Sequence, residues 1–269
     1  MLEVLKRNLD TVWAGRGEIA YEAQMNSTNL RAKEMARQGA PHGSLAVCDH
    51  QTAGRGRLQR SWDTPAGEAL TQTVVLRPHL PIEQAQLCTF AAAVAAAKAI
   101  EEVCPQLKPH IKWPNDVVIG SKKCVGILCE MVLMGAEYAI AAGVGININQ
   151  TAFEGELADK ATSLRMETGA EHDRWQVLCA YLRHLEKAVD ALEQQALDGI
   201  WQDYAGRSAT LGSRVRVVGT DSEFTGTAKA VDETGALIVA DEEGIDRRVL
   251  SGDVSVRGLM GYVDESKDL

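Results

Sequence analysis

The chain has six cysteines but no C-x-x-C pair, and the one close pair, Cys124 and Cys129, has no second Cys or His pair at matching spacing to complete a four-ligand zinc site. Cys48, Cys124 and Cys129 sit inside apolar runs, the setting of small reduced core side chains. Positive charge is also short: 28 Lys and Arg face 37 Asp and Glu, a net of -9. A field of that sign repels nucleic acid and anionic membranes, so no DNA or membrane partner is expected and any polyanion must be met locally. The start, MLEVLKRNLD, lacks the apolar core of a signal peptide. The most hydrophobic stretch, LCTFAAAVAAAKAI, is broken by Lys98 before it can span a bilayer. A soluble, cytoplasmic protein is expected. Internal repeats, low-complexity tracts and long polar linkers are missing too. In AAGVGININ, Gly143 and Gly145 lie within a strand-like run and do not open a helix as G-x-G-x-x-G does, which argues against a dinucleotide-binding Rossmann site.

What is present is enough for a sizeable core: 269 residues, 45% hydrophobic. STNLRAKEMARQ (27–38) reads as a short helix capped by Ser27 or Thr28 and stopped by Gly39 and Pro41. SLAVCDHQ (44–51) and ALTQTVVLR (69–77) read as strands. The alanine-rich segment 85–103 predicts a helix covering a sheet with one apolar face, and Pro105 ends it. IKWPNDVVIG, KCVGILCEMVL and AEYAIAAGVGININ are β-rich runs joined by tight connections, most simply an antiparallel meander. Residues 173–197 carry apolar positions at helical spacing behind an N-cap candidate, Asp173. After Leu211 come short strands, SRVRVV, FTGTAKAVD, ALIVAD, IDRRVL and VSVRG, which suggest a small β-barrel. The boundary between the two textures falls near 205–212, giving units of 1–208 and 209–269.

Five segments carry polar residues in patterns that suit chemistry. GRGRLQRSW (54–62) hangs Arg55, Arg57 and Arg60 from a glycine-bent loop between two strands, ending in Trp62. Guanidinium groups grip phosphate oxygens in pairs, and the indole adds an apolar surface beside them. A solvated loop held by salt bridges accounts for the same arginines. In KWPND (112–116), Pro114 stiffens the backbone at a strand kink and holds Lys112 and Asp116 in place. A buried lysine near a developing oxyanion stabilises a transition state, while the bland alternative is a polar turn with a solvated lysine. In KKCVGIL, Lys123 precedes an apolar strand and Gly126 leaves room for a close approach. Asn147, in GVGININ, can read a base edge or satisfy a strand end. In MNSTN, Ser27, Thr28 and Asn29 exceed what one helix cap needs, and the surplus suits a neutral urea or amide head.

Taken in order, STN, QTAGRGRLQRSW, KWPND, KKCVGIL and GVGININ resemble the biotin protein ligase family over most of the chain. The resemblance implies an α+β fold: a mixed, largely antiparallel sheet flanked by helices, like that of class II aminoacyl-tRNA synthetases, with a C-terminal SH3-like β-barrel. It implies a ligase that makes biotinyl-5′-adenylate from biotin and ATP and passes biotin to a lysine on the carrier domain of a carboxylase of the acetyl-CoA carboxylase type. By the same resemblance Ser27, Thr28, Asn29, Gln51, Arg55, Gly56, Arg57 and Lys112 bind biotin. Arg57, Arg60, Trp62, Lys112, Lys123, Asn147 and Phe153 border ATP or the adenylate. Lys112 and Arg57 are the catalytic pair, and Asp116 is a candidate ligand for the Mg2+ that accompanies ATP. Rival readings are a lipoate or octanoate ligase or transferase of related fold, and a non-catalytic regulator that binds biotin or nucleotide.

The chain departs from the family where Ala69 and Thr71 replace an Asn and a Tyr after the loop, and where Phe153 is the only aromatic in QTAFEGELADKATSL. Some family members carry an N-terminal DNA-binding domain; here 26 residues precede STN, fewer than the roughly 40 a domain folding alone needs. The form without that domain is therefore expected. The segment 212–258 holds six basic and nine acidic residues, a net of 6 minus 9 or -3, which also argues against DNA. A homodimer is allowed.

Overall fold

Strands β2 (Ser44–Gln51), β3 (Ala69–Leu76), β6 (Lys122–Met134) and β7 (Glu137–Asn147) form where the apolar runs predict them. The computed structural model describes residues 5, 7–194, 197–218, 223–250, 253–256 and 259–260. With β1 (Ile19–Met25), β4 (Pro109–Lys112) and β5 (Asp116–Ile119), strands β2, β3, β6 and β7 make a seven-stranded sheet in the order β1-β2-β3-β7-β6-β5-β4, β1 parallel to β2 and every other pair antiparallel. β1 escapes a reading by alternation because it is an edge strand with half-exposed residues along most of its length.

KWPND departs from the expectation of a kinked single strand. β4 (Pro109–Lys112) and β5 (Asp116–Ile119) are antiparallel neighbours, so the chain reverses through Trp113, Pro114 and Asn115, with Lys112 paired to Asp116 across the turn. A proline that disfavours continued strand pairing is as compatible with a reversal as with a kink.

Helix α1 (Thr28–Arg37) covers one face, packing Ala32, Met35 and Ala36 on Ala46, Val75, Ala139 and Ala141. α2 (Leu87–Val103) and α4 (Arg174–Glu193) cover the other. Asp173 caps α4 as its sequence suggests, accepting from the Trp175 amide at 2.9 Å. α2 is buried almost all round, not along one face alone; its small alanines let the sheet, α4 and a further helix approach from several sides. That further helix, α5 (Leu197–Arg207), follows the five-residue α3 (Leu164–Thr168) and α4. The sequence hides α5 behind two internal glycines, Gly199 and Gly206, which lower helix propensity. Lys98, the charge that interrupts α2, pairs with Asp203 of α5.

The second sheet contains β8 (Arg214–Val218), β9 (Glu223–Val231), β10 (Leu237–Asp241), β11 (Asp246–Val249) and β12 (Asp253–Val256) in the order β11-β10-β9-β8-β12, all antiparallel. Its turns close at Asp232–Gly235 and Asp241–Gly244. The end of the expected VSVRG strand, Arg257 and Gly258, lies outside the described residues. Val215, Leu237 and Val239 join the same apolar core as α2 and α4, so the small sheet is packed onto the large one. Among the described residues no helix is long and apolar enough to cross a membrane. All six cysteines are free; Cys129, expected in the core, is half-buried and the other five are buried.

Candidate active site

Because β2 and β3 are neighbours, the arginine-rich connection between them folds back on itself as a flap. Trp62 donates its amide to Gly54 O at 3.0 Å and Gly56 donates to Arg60 O at 2.7 Å, with Leu58 exposed at the tip in the left-handed region, φ 53°. The stem is fixed by Asp49, whose carboxylate accepts from Arg174 at 2.8 Å and from the Tyr21 hydroxyl at 2.5 Å. The Trp62 ring lies on the glycines of β6 and β7: a Cβ added at Gly126 or Gly145 would come within 2.7 or 2.5 Å of it. These two glycines are register partners, so they make a floor flat enough for an indole. Lys123 Nζ stands 5.6 Å from that ring.

The flap reaches the KWPND turn directly. Arg57 Nη1 donates to Asn115 Oδ1 at 3.1 Å, while Asn115 Nδ2 donates to Ile127 O at 2.8 Å and Ile127 N donates to Asn115 O at 2.9 Å. Asn115 thus clamps the turn onto β6 and receives the flap arginine. Trp113, fully buried, takes its bonds elsewhere: its amide donates to Thr210 Oγ1 at 2.9 Å and its indole N–H to Gly235 O at 3.1 Å.

Asp116 lies 2.6 Å from Lys123 Nζ and 4.0 Å from Lys112 Nζ. Burial opposes its ionisation, but the Lys123 and Lys112 ammonium groups outweigh that and hold the carboxyl below the usual carboxylate range. A carboxylate already shared by two ammonium groups is a poor magnesium ligand. Among the described residues no group of three His, Cys, Asp or Glu is placed to hold a metal ion. A protein-only Mg2+ site is not formed among these residues, and for Asp116 to serve as one carboxylate beside the phosphates of ATP it would have to exchange a lysine partner.

The start of α1 departs from simple capping. Ser27 occupies the N-cap position without a side-chain bond to the helix; the Thr28 amide donates to Gln51 Oε1 at 2.8 Å, and the Thr28 hydroxyl to the same oxygen at 3.1 Å. A neighbouring strand end therefore satisfies the helix N-terminus, and Gln51 is held with Nε2 as the end available to a ligand carbonyl. Asn29 is engaged on every side: Nδ2 donates to Leu128 O and Glu130 Oε2, both at 3.0 Å, and Oδ1 accepts from Thr73 at 2.8 Å. It builds the wall beside Ser27, Thr28 and Gln51. At the departure from the family pattern, Thr71 Oγ1 donates to Cys48 O at 3.1 Å and Ala69 O accepts from Arg174 at 3.2 Å.

Asn147 also has its polar atoms occupied. Nδ2 donates to Thr162 O and Oδ1 accepts from Gln150, both at 3.0 Å, which ties β7 to the loop carrying Phe153. In this structure its amide holds that loop, and base reading would require the bonds to exchange. The loop is fastened at its far end on β6, where Lys123 N donates to Lys160 O at 2.8 Å and Thr162 N to Lys123 O at 2.9 Å.

Every candidate ligand, catalytic or metal residue named from the sequence, from Ser27 at the start of α1 to Phe153 in the loop after β7, borders one cavity of about 480 Å3, whereas Ala69 does not. Arg57 and Lys112 face it together. Val254, Ser255 and Met260 close part of its rim, the last held by a 2.8 Å bond from its amide to Ser121 O. Three contributors escaped the sequence reading. Asn115 lay inside a quoted motif, where a turn asparagine gives no sign of clamping a neighbouring strand. Thr73 and Gly143 act on Asn29 across the sheet, and only register brings them there.

Comparison with known proteins points the same way. Residues 21–147 match the Biotin/lipoate A/B protein ligase family and residues 210–257 the Biotin protein ligase C terminal domain. The chain is 36% identical over 244 residues to the Bifunctional ligase/repressor BirA of Bacillus subtilis, covering 88% of this chain and 74% of that protein. It is 33% identical over 250 residues to the Biotin--[acetyl-CoA-carboxylase] ligase of Mycobacterium tuberculosis, covering 90% and 91%. The solved structure of a biotin protein ligase from Aquifex aeolicus in complex with biotin and ATP superposes with a TM-score of 0.77 at 29% identity, over 89% of this chain and 98% of that one.

Proposed function

Since this chain belongs to the biotin protein ligase family, we propose that the cavity bordered by Ser27, Arg57 and Lys112 runs both half-reactions of biotin attachment. The enzyme activates biotin with ATP and transfers it to a biotin carrier domain. In the first step a biotin carboxylate oxygen attacks the α-phosphorus of ATP and pyrophosphate leaves, giving biotinyl-5′-adenylate. In the second a carrier lysine amine attacks the acyl carbon, AMP leaves, and the amine's proton is released. Magnesium enters with ATP as part of the nucleotide substrate.

The residues divide these tasks by position. Ser27, Thr28 and Gln51 meet the biotin head, with Asn29 as their support. Lys112 neutralises the attacking carboxylate and the bridging oxygen of the mixed anhydride, holding charge without a covalent intermediate. Arg57 closes the flap over the same group, with Arg55 and Gly56 beside it. Arg60 and Lys123 meet phosphates, Trp62 gives an apolar lid, and Asn147 with Phe153 borders the adenine side. Residues 1–208 form the ligase unit, and residues 209–269 the small unit that completes the rim. The reading includes no DNA partner; a homodimer is read by sedimentation of the free and adenylate-bound protein.

The observation that carries this reading is the 3.1 Å bond from Arg57 to Asn115, which brings the flap guanidinium to the turn bearing Lys112. The test is incubation with ATP, biotin and a carrier domain, followed by the intact mass of the carrier. A gain of one biotinyl group, with pyrophosphate released only when biotin is present, is expected. Transfer of lipoate with no response to biotin sinks it.

A further inference from the structure

Thr73 has one hydroxyl proton and two acceptors within reach, Asn29 Oδ1 at 2.8 Å and Thr28 Oγ1 at 2.9 Å. Where that proton goes decides what Thr28 offers to the cavity. If it goes to Asn29, Thr28 Oγ1 sends its own proton to Gln51 and keeps an oxygen lone pair for a ligand N–H. If it goes to Thr28, one of that oxygen's two lone pairs is taken and its capacity to accept from a ligand is halved. The choice depends on the orientation of the Asn29 amide, because its two ends have nearly the same shape and differ only in donating or accepting.

Glu130 settles that orientation. It lies on β6 next to Leu128 on the same face, and both offer acceptors to one end of Asn29 at 3.0 Å. Two acceptors require the amino end there, so the carbonyl end must face Thr73. Gly143 keeps the amide flat: a Cβ there would fall 1.8 Å from Asn29 Oδ1. Glu130 is in turn fixed by Lys33 of α1, 2.9 Å away. Burial works against its ionisation, but the bonds from Lys33 and Asn29 prevail and hold the carboxyl below its ordinary range, so it remains an acceptor.

We infer that Glu130 is a positioning residue for the biotin head: through Asn29 and Thr73 it keeps Thr28 Oγ1 open as an acceptor for a ligand N–H. The inference rests on the reading of this cavity as the biotin site. Glu130 does not line the cavity that Thr28 and Lys112 border, so its loss acts on biotin affinity through Asn29 and leaves chemistry at saturation alone.

The test is calorimetric biotin binding and steady-state kinetics on the full chain with Glu130→Leu, Glu130→Gln and Lys33→Met. Glu130→Leu keeps the volume but removes one of the two acceptors, and a lost charge-assisted bond of this kind weakens biotin about tenfold. ATP KM and kcat at saturating biotin should stay within about twofold, since a general loosening moves all three while a misdirected proton moves one. Glu130→Gln preserves shape and can present its own amino group to Asn29, so it should weaken biotin at least about threefold; it decides the matter if Glu130→Leu does not fold. Lys33→Met leaves the Glu130 to Asn29 bond in place and should change biotin affinity less than about twofold, as expected for a partly exposed ion pair. Unchanged biotin affinity in both Glu130 variants overturns the inference, as does an equal rise in ATP KM or an effect of Lys33→Met as large as that of Glu130→Leu. If the unmodified protein binds no biotin, the failure belongs to the reading of the cavity and not to Glu130.

Discussion

Substituting Gly143 by alanine should cost the protein both stability and biotin. The added Cβ would sit 1.8 Å from Asn29 Oδ1 and 2.8 Å from its Cγ, where real contacts stop at about 3.0 Å. The amide must therefore retreat by roughly 1.2 Å, the gap between those two distances. Its bonds to Thr73, Leu128 and Glu130, now 2.8 to 3.0 Å, would stretch beyond the reach of a hydrogen bond. At about 1 kcal/mol for each neutral bond and more for the one to Glu130, the loss is about 3–4 kcal/mol. A chain of this size converts each kcal/mol to about 2–4 °C, so the midpoint should fall by roughly 10 °C. Differential scanning fluorimetry with and without biotin reads it, and the rise in midpoint produced by biotin should shrink as well. Gly206→Ala is the control: nothing lies within 4 Å of its added Cβ, and an interior helix alanine should be neutral or mildly stabilising. A Gly143→Ala protein with a midpoint within about 2 °C of the parent and the same response to biotin would refute this account of Asn29.

Three further outcomes are expected. Lys112→Ala should slow single-turnover pyrophosphate release about 10²–10³-fold, the scale of a lost oxyanion donor, with little change in melting because Lys123 still neutralises Asp116; a full rate removes Lys112 from the chemistry. Arg57→Ala breaks the tie to Asn115 and should let the adenylate escape faster, measured as biotinyl-AMP in a filtrate, and unchanged leakage argues against flap closure. Asp232 is opposed by burial, but Arg248, Thr234 and the Ala236 amide bring its carboxyl down to about 2 from 3.8. A depressed carboxyl contributes stability above its unfolded pKa and loses it as pH falls toward the folded one. Asp232→Asn should therefore lower the urea midpoint at pH 7, with the difference narrowing between about pH 4 and pH 2. A difference that ignores pH contradicts the assignment.

The central strands, α1, α2 and α4 were legible because each carries its own periodicity or cap. The paired β6 and β7, joined by a tight connection, could be read as neighbours before any coordinates, though not their register. β1 was not, since an edge strand buries too little to alternate, and α5 was masked by its glycines. At the site, residue types at fixed spacing identified what borders the cavity. They did not reveal which side chains are already engaged by protein partners. Asn29 and Asn147 look like ligand readers in sequence, yet their bonds come from Thr73, Glu130, Thr162 and Gln150, set by strand register and loop return. For Asp116, read as a candidate metal ligand, spacing did not reveal that two lysines from different strand ends share it.

The fully buried indole of Trp113 has a wider consequence. Its backbone belongs to the turn that follows Lys112, its amide is held by Thr210 at the exit from α5, and its ring nitrogen is held by Gly235 in the small sheet. One residue is therefore a keystone between two halves of the molecule, a single peptide unit from the backbone of Lys112. Displacing the small sheet withdraws the acceptor beneath that keystone. Any load that shifts the small sheet is thereby passed on to the seat of Lys112.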